Sequence, residues 1–341
     1  MGKLREKTAE IRDFILINIE QHSNNITAIT AQKYHISKQA VRKHIQALIE
    51  DGFVTSSGVT RDRKYQLKPL NHLSIEYPVS PNLEEDKIWR QELRPKLEGA
   101  LPNVINICQY GFTEMINNVI DHSEGSLLRF QFNHTAAFIE IVITDNGIGI
   151  FNKIQGILGL EDPIHVILEL SKGKLTTDPK HHTGEGIFFT SRMFDDFTIM
   201  SGNLFFTHTE PDDDWLIEKQ DELFSGTCVR LRINPTSNRT MQEVFDRYAT
   251  GDDYGLTRTH IPVTLARYGD ENLLSRSQAK RLLARIERFK EIVLDFKGVD
   301  MIGQGFADEI FRIFRNDHPQ IHITYIGANE PVEKMIKHVI S

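Results

Sequence analysis

Glu114, Asn117, Asn118 and Asp121 recur three and four residues apart within FTEMINNVIDHS, residues 112–123. A carboxylate one helical turn from a carboxamide can do two kinds of chemistry. The carboxylate can orient or deprotonate a water or a hydroxyl, and the Asn carbonyl oxygen can ligate a hard cation such as Mg²⁺. The pair works together only on a rigid support, and the same stretch supplies one. Phe112, Met115, Ile116, Val119 and Ile120 fall at i, i+3, i+4, i+7 and i+8, the apolar stripe of a buried helix. Pro102 suits the first turn of that helix.

Two further stretches carry matching chemistry. Asp145-Asn146-Gly147-Ile148-Gly149-Ile150 follows two aliphatic and aromatic runs, 127–133 and 137–144, that read as strands. Thr183-Gly184-Glu185-Gly186-Ile187 opens a helix expected to run to about Phe194. A carboxylate at a strand end can accept from an N–H donor. Glycines let backbone come close to a ligand, and free N–H groups at a helix start can face anionic oxygens.

These three stretches together resemble the N, G1 and G2 boxes of the GHKL ATPase superfamily, which holds gyrase, histidine kinases and anti-sigma kinases. The resemblance implies an α/β sandwich, a mixed or antiparallel sheet with helices on one face, that binds ATP and Mg²⁺. Carried over, Asn118 holds Mg²⁺, Glu114 is the general base, and Asp145 meets the adenine amine. Gly147, Gly149, Gly184 and Gly186 shape the nucleotide site, and Thr227, in Gly226-Thr227, matches a threonine at the adenine end. There are departures. Asp121 stands where many histidine kinases carry a basic residue, and Glu185 where an aliphatic one is usual. Lys180, with His181 and His182, lies just before the second glycine pair and can supply the missing positive charge; a solvated tip is the alternative. His122 reads as a helix-packing histidine.

Composition sets the frame. The chain has 341 residues, 40% hydrophobic and 26% charged, an ordinary globular balance with room for roughly two or three domains. No apolar run reaches the roughly 18 residues of a membrane span, and the start, MGKLREKTAEIRD, lacks the apolar core of a signal peptide. Cys108 and Cys228 make no disulfide framework and no cysteine zinc site. A cytoplasmic protein without membrane contact is expected. The net charge of −7 is uneven: residues 1–68 hold 12 Lys+Arg and 7 Asp+Glu, or +5, which leaves 40 − 12 = 28 basic and 47 − 7 = 40 acidic residues, or −12, for the rest. A basic head on an acidic body suits an anionic partner for the head.

That head reads as three helices and a hairpin. Residues 5–21 form the first, Thr27 caps a second through Tyr34, and Ser37 caps a third through Asp51, stopped by Gly52. A hairpin over 53–67 follows. The phrase ISKQAVRKHIQALIEDGFV resembles the winged helix-turn-helix of bacterial regulators, over residues 5–67. The resemblance implies DNA contacts by Gln39, Arg42 and Lys43 on the third helix and by Arg61, Arg63 and Lys64 on the wing. A surface for docking protein is the competing use.

Residues 68–82 hold three prolines and no strong period and read as a linker, followed by a short helix over 83–93. Residues 151–182 lack one period, which favours a functional, mobile segment with a short helix near 163–170. Strands are expected at 197–200, 204–208, 227–233, 262–267, 291–296 and 322–326. Helices are expected from Ser275 or Ser277 to Phe289, at 306–314 and at 331–340. IVLDFKGVDMIGQGFADEIFRIF resembles STAS domains over residues 260–341, with Gln304 and Gly305 where that family places a phosphorylated serine. Docking or regulation is then implied, rather than phosphoacceptance.

The expected fold class is therefore α/β (α+β) throughout. Its units are a winged helix-turn-helix at 1–67, a linker and short helix at 68–100, a GHKL sandwich at 101–240 and a small STAS-like domain at 241–341. Too few residues lie between 68 and 100 for the helical hairpin of a sensor histidine kinase. Two functions fit. One is an ATP-binding transcription regulator in which Mg-ATP binding, with or without slow hydrolysis, controls DNA binding. The other is a protein serine/threonine kinase of the anti-sigma type acting on a separate protein. DNA, a protein docked on the STAS-like domain and a second copy in a homodimer are the partners considered.

Overall fold

Ser37 does what its place before an amphipathic run suggests. Its Oγ accepts the Ala40 N–H (3.1 Å) at the start of α3, Lys38–Glu50. The computed structural model describes residues 2–59, 62–160, 164–175, 184–210, 214–249, 255–267 and 272–341, with backbone alone at 2–5, 164 and 214–222. Arg61, Lys180, His181 and His182 lie outside the described residues. α1 (Gly2–Asn18) and α2 (Ile26–Tyr34) precede α3. Thr27 is not the cap of α2, because the helix starts two residues earlier, at Ile26 behind Asn25. β1 (Val54–Ser57) pairs antiparallel with β2 (Lys64–Leu67). Ile11, Ile15, Val41, Ile45, Leu48 and Val54 fill a small core.

Two residues of that core come from far along the chain. Ala137 and Phe138, in the turn between two strands of the central sheet, pack among these helices. The Arg232 guanidinium lies 3.9 Å from the Phe138 ring centre and pairs with Glu140 (2.7 Å) and with Glu20 of the head (3.5 Å). The head is thus pinned to the sheet by one aromatic plug. Phe138→Ala is expected to cost about 3 kcal/mol, a typical value for emptying a buried phenylalanine site. It should also speed proteolytic release of the head. Urea unfolding and timed proteolysis check both.

β3 (Asn71–Pro78) lies inside the segment expected to be a linker, and this corrects that reading. It pairs antiparallel with β4 (Leu127–His134) over its whole length. Leu73, Ile75 and Tyr77 alternate with exposed Ser74 and Glu76, but Pro69, Pro78 and Pro81 mask the period. An edge strand tolerates a proline at its end because one side needs no ladder bonds. Beyond it, α4 (Glu85–Ile88) runs on through a wide turn, Trp89–Leu93, and a tight one, Arg94–Leu97, rather than stopping before Pro95. α5 (Pro102–His122) begins at its proline as expected.

The central sheet continues with β5 (Ile139–Asp145), β6 (Asp196–Thr209) and β7 (Asp214–Ile233), in the order β3-β4-β5-β7-β6, all antiparallel. β6 doubles back near Gly202. Glu210 N–H reaches the Asp195 carbonyl (2.9 Å) and the Thr207 hydroxyl reaches that of Phe197 (3.0 Å), so its halves lie side by side. The 151–182 segment is more built than expected. It holds α6 (Ile150–Leu158) and α7 (Ile164–Lys172), and every described α7 side chain is buried. α8 (Gly186–Met193) follows the second glycine pair, and α9 (Met241–Tyr248) packs Phe245 edge-on against Phe189 (4.7 Å) across the boundary placed at 240.

The last unit is a three-stranded parallel sheet in the order β10-β9-β8, from β8 (Arg258–Pro262), β9 (Glu291–Asp295) and β10 (His322–Ile326). Where a strand was expected at 262–267, the strand instead ends at Pro262 and Val263–Ala266 forms a 3₁₀ turn. Ile261, Pro262, Val263, Leu265 and Ala266 are all buried across that junction, so hydropathy alone does not show where the strand stops. α10 (Arg276–Leu282) is capped by Ser275 and ends seven residues short of Phe289; Gln304–Asp317 is one helical run, and α11 (Glu330–Ile340) closes the chain. Buried apolar side chains form one continuous cluster from Ile88 to Ile336, so the central and C-terminal units share a core. Among the described residues, no helix is long and apolar enough to cross a membrane.

Candidate functional site

Phe112, Met115, Ile116 and Val119 bury one face of α5, which leaves Glu114 and Asn118 one turn apart on its flank. Beside them lies a cavity of about 290 Å³. Glu114, Asn118, Asp145, Gly184, Gly186 and Thr227 all line it. Four stretches more than 100 residues apart at the extremes thus converge on one space. Met115, Ile143, Ile154, Leu170 and Ile187 give it apolar walls, the usual make-up of a small-molecule site.

Asp145 ends β5 and is 5% exposed. Its Oδ1 accepts the Gly147 N–H (2.8 Å) and the Thr227 N–H (3.3 Å). Burial raises its pKa above the usual carboxylate value, and bonds from Gly147 and Thr227 offset part of that. Thr227 Oγ1 in turn accepts the Ile150 N–H (3.0 Å), which ties β7 to the start of α6.

Gly147 and Gly149 do not line the cavity, and their need is internal. A Cβ at Gly147 would lie 2.0 Å from the Ser123 carbonyl oxygen, and one at Gly149 2.5 Å from Ser201 Oγ. Gly226 is constrained in the same way, with a Cβ falling 2.0 Å from the Asp145 carbonyl oxygen. The glycines let three backbone segments touch behind the carboxylate. Gly186 differs, since its Cβ would meet the Glu114 carboxylate at 2.0 Å. Glu114 therefore sits against the start of α8. Tyr110 lies close by; burial first, then the charges of Glu114 and Glu185, push its hydroxyl pKa far up.

Several lining residues were not singled out from the sequence. His122, read there as a packing residue, lines the cavity, as do Ser123 and Lys153. Lys153 Nζ donates to the His122 carbonyl (2.7 Å) and to Glu124 (3.0 Å). The available signal was its place one turn after Gly149, between Ile150 and Ile154. Leu170 and Leu175 bring α7 and its C-terminal extension to the cavity wall. α7 also holds the C-terminal unit: Lys172 Nζ donates to the Ala284 carbonyl (2.8 Å) and the Lys172 carbonyl accepts from Thr259 (2.8 Å). Glu185, between the two glycines, accepts the Leu256 N–H (3.1 Å).

The second group named from the sequence is separate. Gln39, Arg42 and Lys43 are exposed on α3, and Arg63 and Lys64 on the return side of the hairpin.

A family model described as a STAS-like domain of unknown function (DUF4325) matches residues 278–333. The C-terminal unit is STAS-like over that span, which runs from α10 into α11. No curated protein matches the chain.

Proposed function

We propose that the chain is an ATP-binding regulator: Mg-ATP binding in the α5 cavity controls how the three-helix head, a winged helix-turn-helix, meets DNA. One observation carries the reading, the convergence of Glu114, Asn118, Asp145, Gly184, Gly186 and Thr227 on a single cavity. The donors fit the ligand. A buried carboxylate suits an exocyclic amine, a carboxamide suits a hard cation, and the start of α8 suits phosphate oxygens. Mg²⁺ held by Asn118 would neutralise phosphate charge and link it to the protein. Glu114 would accept the proton of an attacking water or hydroxyl.

Transmission to the partners of the site also has support. α7 touches the cavity through Leu170 and the STAS-like unit through Lys172. β5 carries Asp145 at one end, and the turn before its other end holds Phe138 in the head. A GHKL-type nucleotide site would thus have short mechanical routes both ways.

Glu114→Gln is the test. Phosphate release from ATP should fall by about 10²-fold or more, the usual contribution of a positioned base, while nucleotide titrations still show binding. Wild-type turnover indistinguishable from that of the variant would remove the catalytic role. DNA affinity of the wild type should change when ATP and Mg²⁺ are added, and equal affinity with and without them would remove the regulatory one.

A further inference from the structure

The two ends of the cavity are chemically distinct. At one end the Glu114 carboxylate lies against Gly186 at the start of α8. At the other, Ser123 touches the Asp145-Gly147 turn, its carbonyl accepting the Ile148 N–H (3.0 Å). Glu114 and His122 are eight residues apart on α5, so the ends are separated by about 12 Å at 1.5 Å per residue. A ligand with its base at Asp145 and its terminal phosphate at α8 must lie along α5.

Lys153 stands at the Asp145 end. Among the described lining residues it is the one lysine or arginine, in a cavity that also holds the Glu114 and Asp145 carboxylates. Its side chain is 17% exposed. The His122 carbonyl that it binds belongs to the last turn of α5, where carbonyls lack helical partners. Its other bond goes to Glu124, which is 61% exposed. With its carboxylate in solvent, that ion pair contributes little and is readily exchanged.

We propose that Lys153 is the cation that binds the first phosphate of the nucleotide, keeping the His122 carbonyl and exchanging Glu124 for phosphate oxygen. This rests on the nucleotide reading above. It gives the site a fixed positive charge built into α6, independent of Lys180, and it explains how a cavity with two carboxylates can accept a polyanion. The charge-assisted bond forms only when a phosphate is present, so the residue distinguishes nucleotide from nucleoside.

Calorimetric titration of adenosine, AMP and ATP with Mg²⁺ tests this on the full chain. Lys153→Gln should weaken AMP and ATP by about tenfold, equivalent to ~1.4 kcal/mol, and change adenosine less than twofold. Lys153→Arg should restore most of the difference, and Glu124→Gln should leave ATP binding no weaker than wild type. Equal weakening of adenosine and ATP would make Lys153 a structural tie between α5 and α6 and overturn the proposal. Weakening of ATP without AMP would move the contact to a distal phosphate and overturn the assignment. If the wild type binds none of the three ligands, the nucleotide reading itself fails and this inference with it. Binding by the wild type with an unchanged Lys153→Gln profile defeats this inference alone.

Discussion

At the proposed nucleotide site, Asp145→Asn is expected to lower adenosine and ATP affinity at least tenfold and to leave the fold in place. Asparagine keeps an oxygen for the Gly147 and Thr227 N–H groups that now bind Oδ1. It replaces the second carboxylate oxygen by a donor, which would face the donor of a bound adenine amine. Losing a bond to a charged acceptor costs roughly 1.5–3 kcal/mol, so the expected loss is about ten- to a hundredfold. Unchanged adenosine affinity in the variant would end the assignment of Asp145.

The same residue predicts a pH dependence. Its folded pKa is raised by burial, so the proton is held more tightly in the fold than in the unfolded chain. That contribution to stability is fully present below the ordinary carboxylate value and is lost as pH rises through the raised one. Binding has the opposite sign, because the ionised form is the better acceptor. Adenosine affinity should therefore fall as pH drops through the raised pKa, while Asp145→Asn shows no such step. Adenosine is the ligand of choice here because it carries no phosphate to titrate.

Lys172→Met produces the largest loss of stability. Lys172 is fully buried against Glu169, which is 3% exposed, with their charged atoms 2.7 Å apart. The ammonium also donates to the Arg281 and Ala284 carbonyls, one residue before the last of α10 and two residues past it. Burial pulls its pKa down and the Glu169 charge opposes that. Methionine fits the volume but takes the nearest positive charge from a buried carboxylate, leaving it Arg285 at 3.5 Å and the more distant Arg288. Removing one partner of a buried pair costs about 3–5 kcal/mol. Urea unfolding should show that loss, and Glu169→Leu combined with Lys172→Met should recover part of it. A single variant as stable as wild type would mean the pair does not hold the junction.

How much of this was legible varied with what each element packs against. α5 was readable because one face is buried and the other is wet, so its apolar residues keep a clean period. α7 was readable as a short helix near 163–170, but not what it packs against. Its described side chains, residues 165–172, are all buried, and His165 and Glu169 meet Arg281 and Arg285 of the C-terminal unit. No wet face is left to give its apolar residues a period. β3 was hidden by prolines that an edge position tolerates. In the cavity, Glu114, Asn118, Asp145, Gly184 and Gly186 stood out by spacing, whereas Lys153 was marked by no more than its place one turn after Gly149.

The sequence alone determined what depends on near neighbours: the α5 stripe, the caps at Ser37 and Ser275, and the turns that need glycine. It also set which carboxylate and carboxamide share a turn. Tertiary structure alone decided which charges are buried, where the cavity lies, and that the central and C-terminal units share one core. Those outcomes follow from pairs such as Lys172 with Ala284 or Phe138 with the head helices. The energy of such contacts depends on desolvation by distant segments, and no local pattern encodes it.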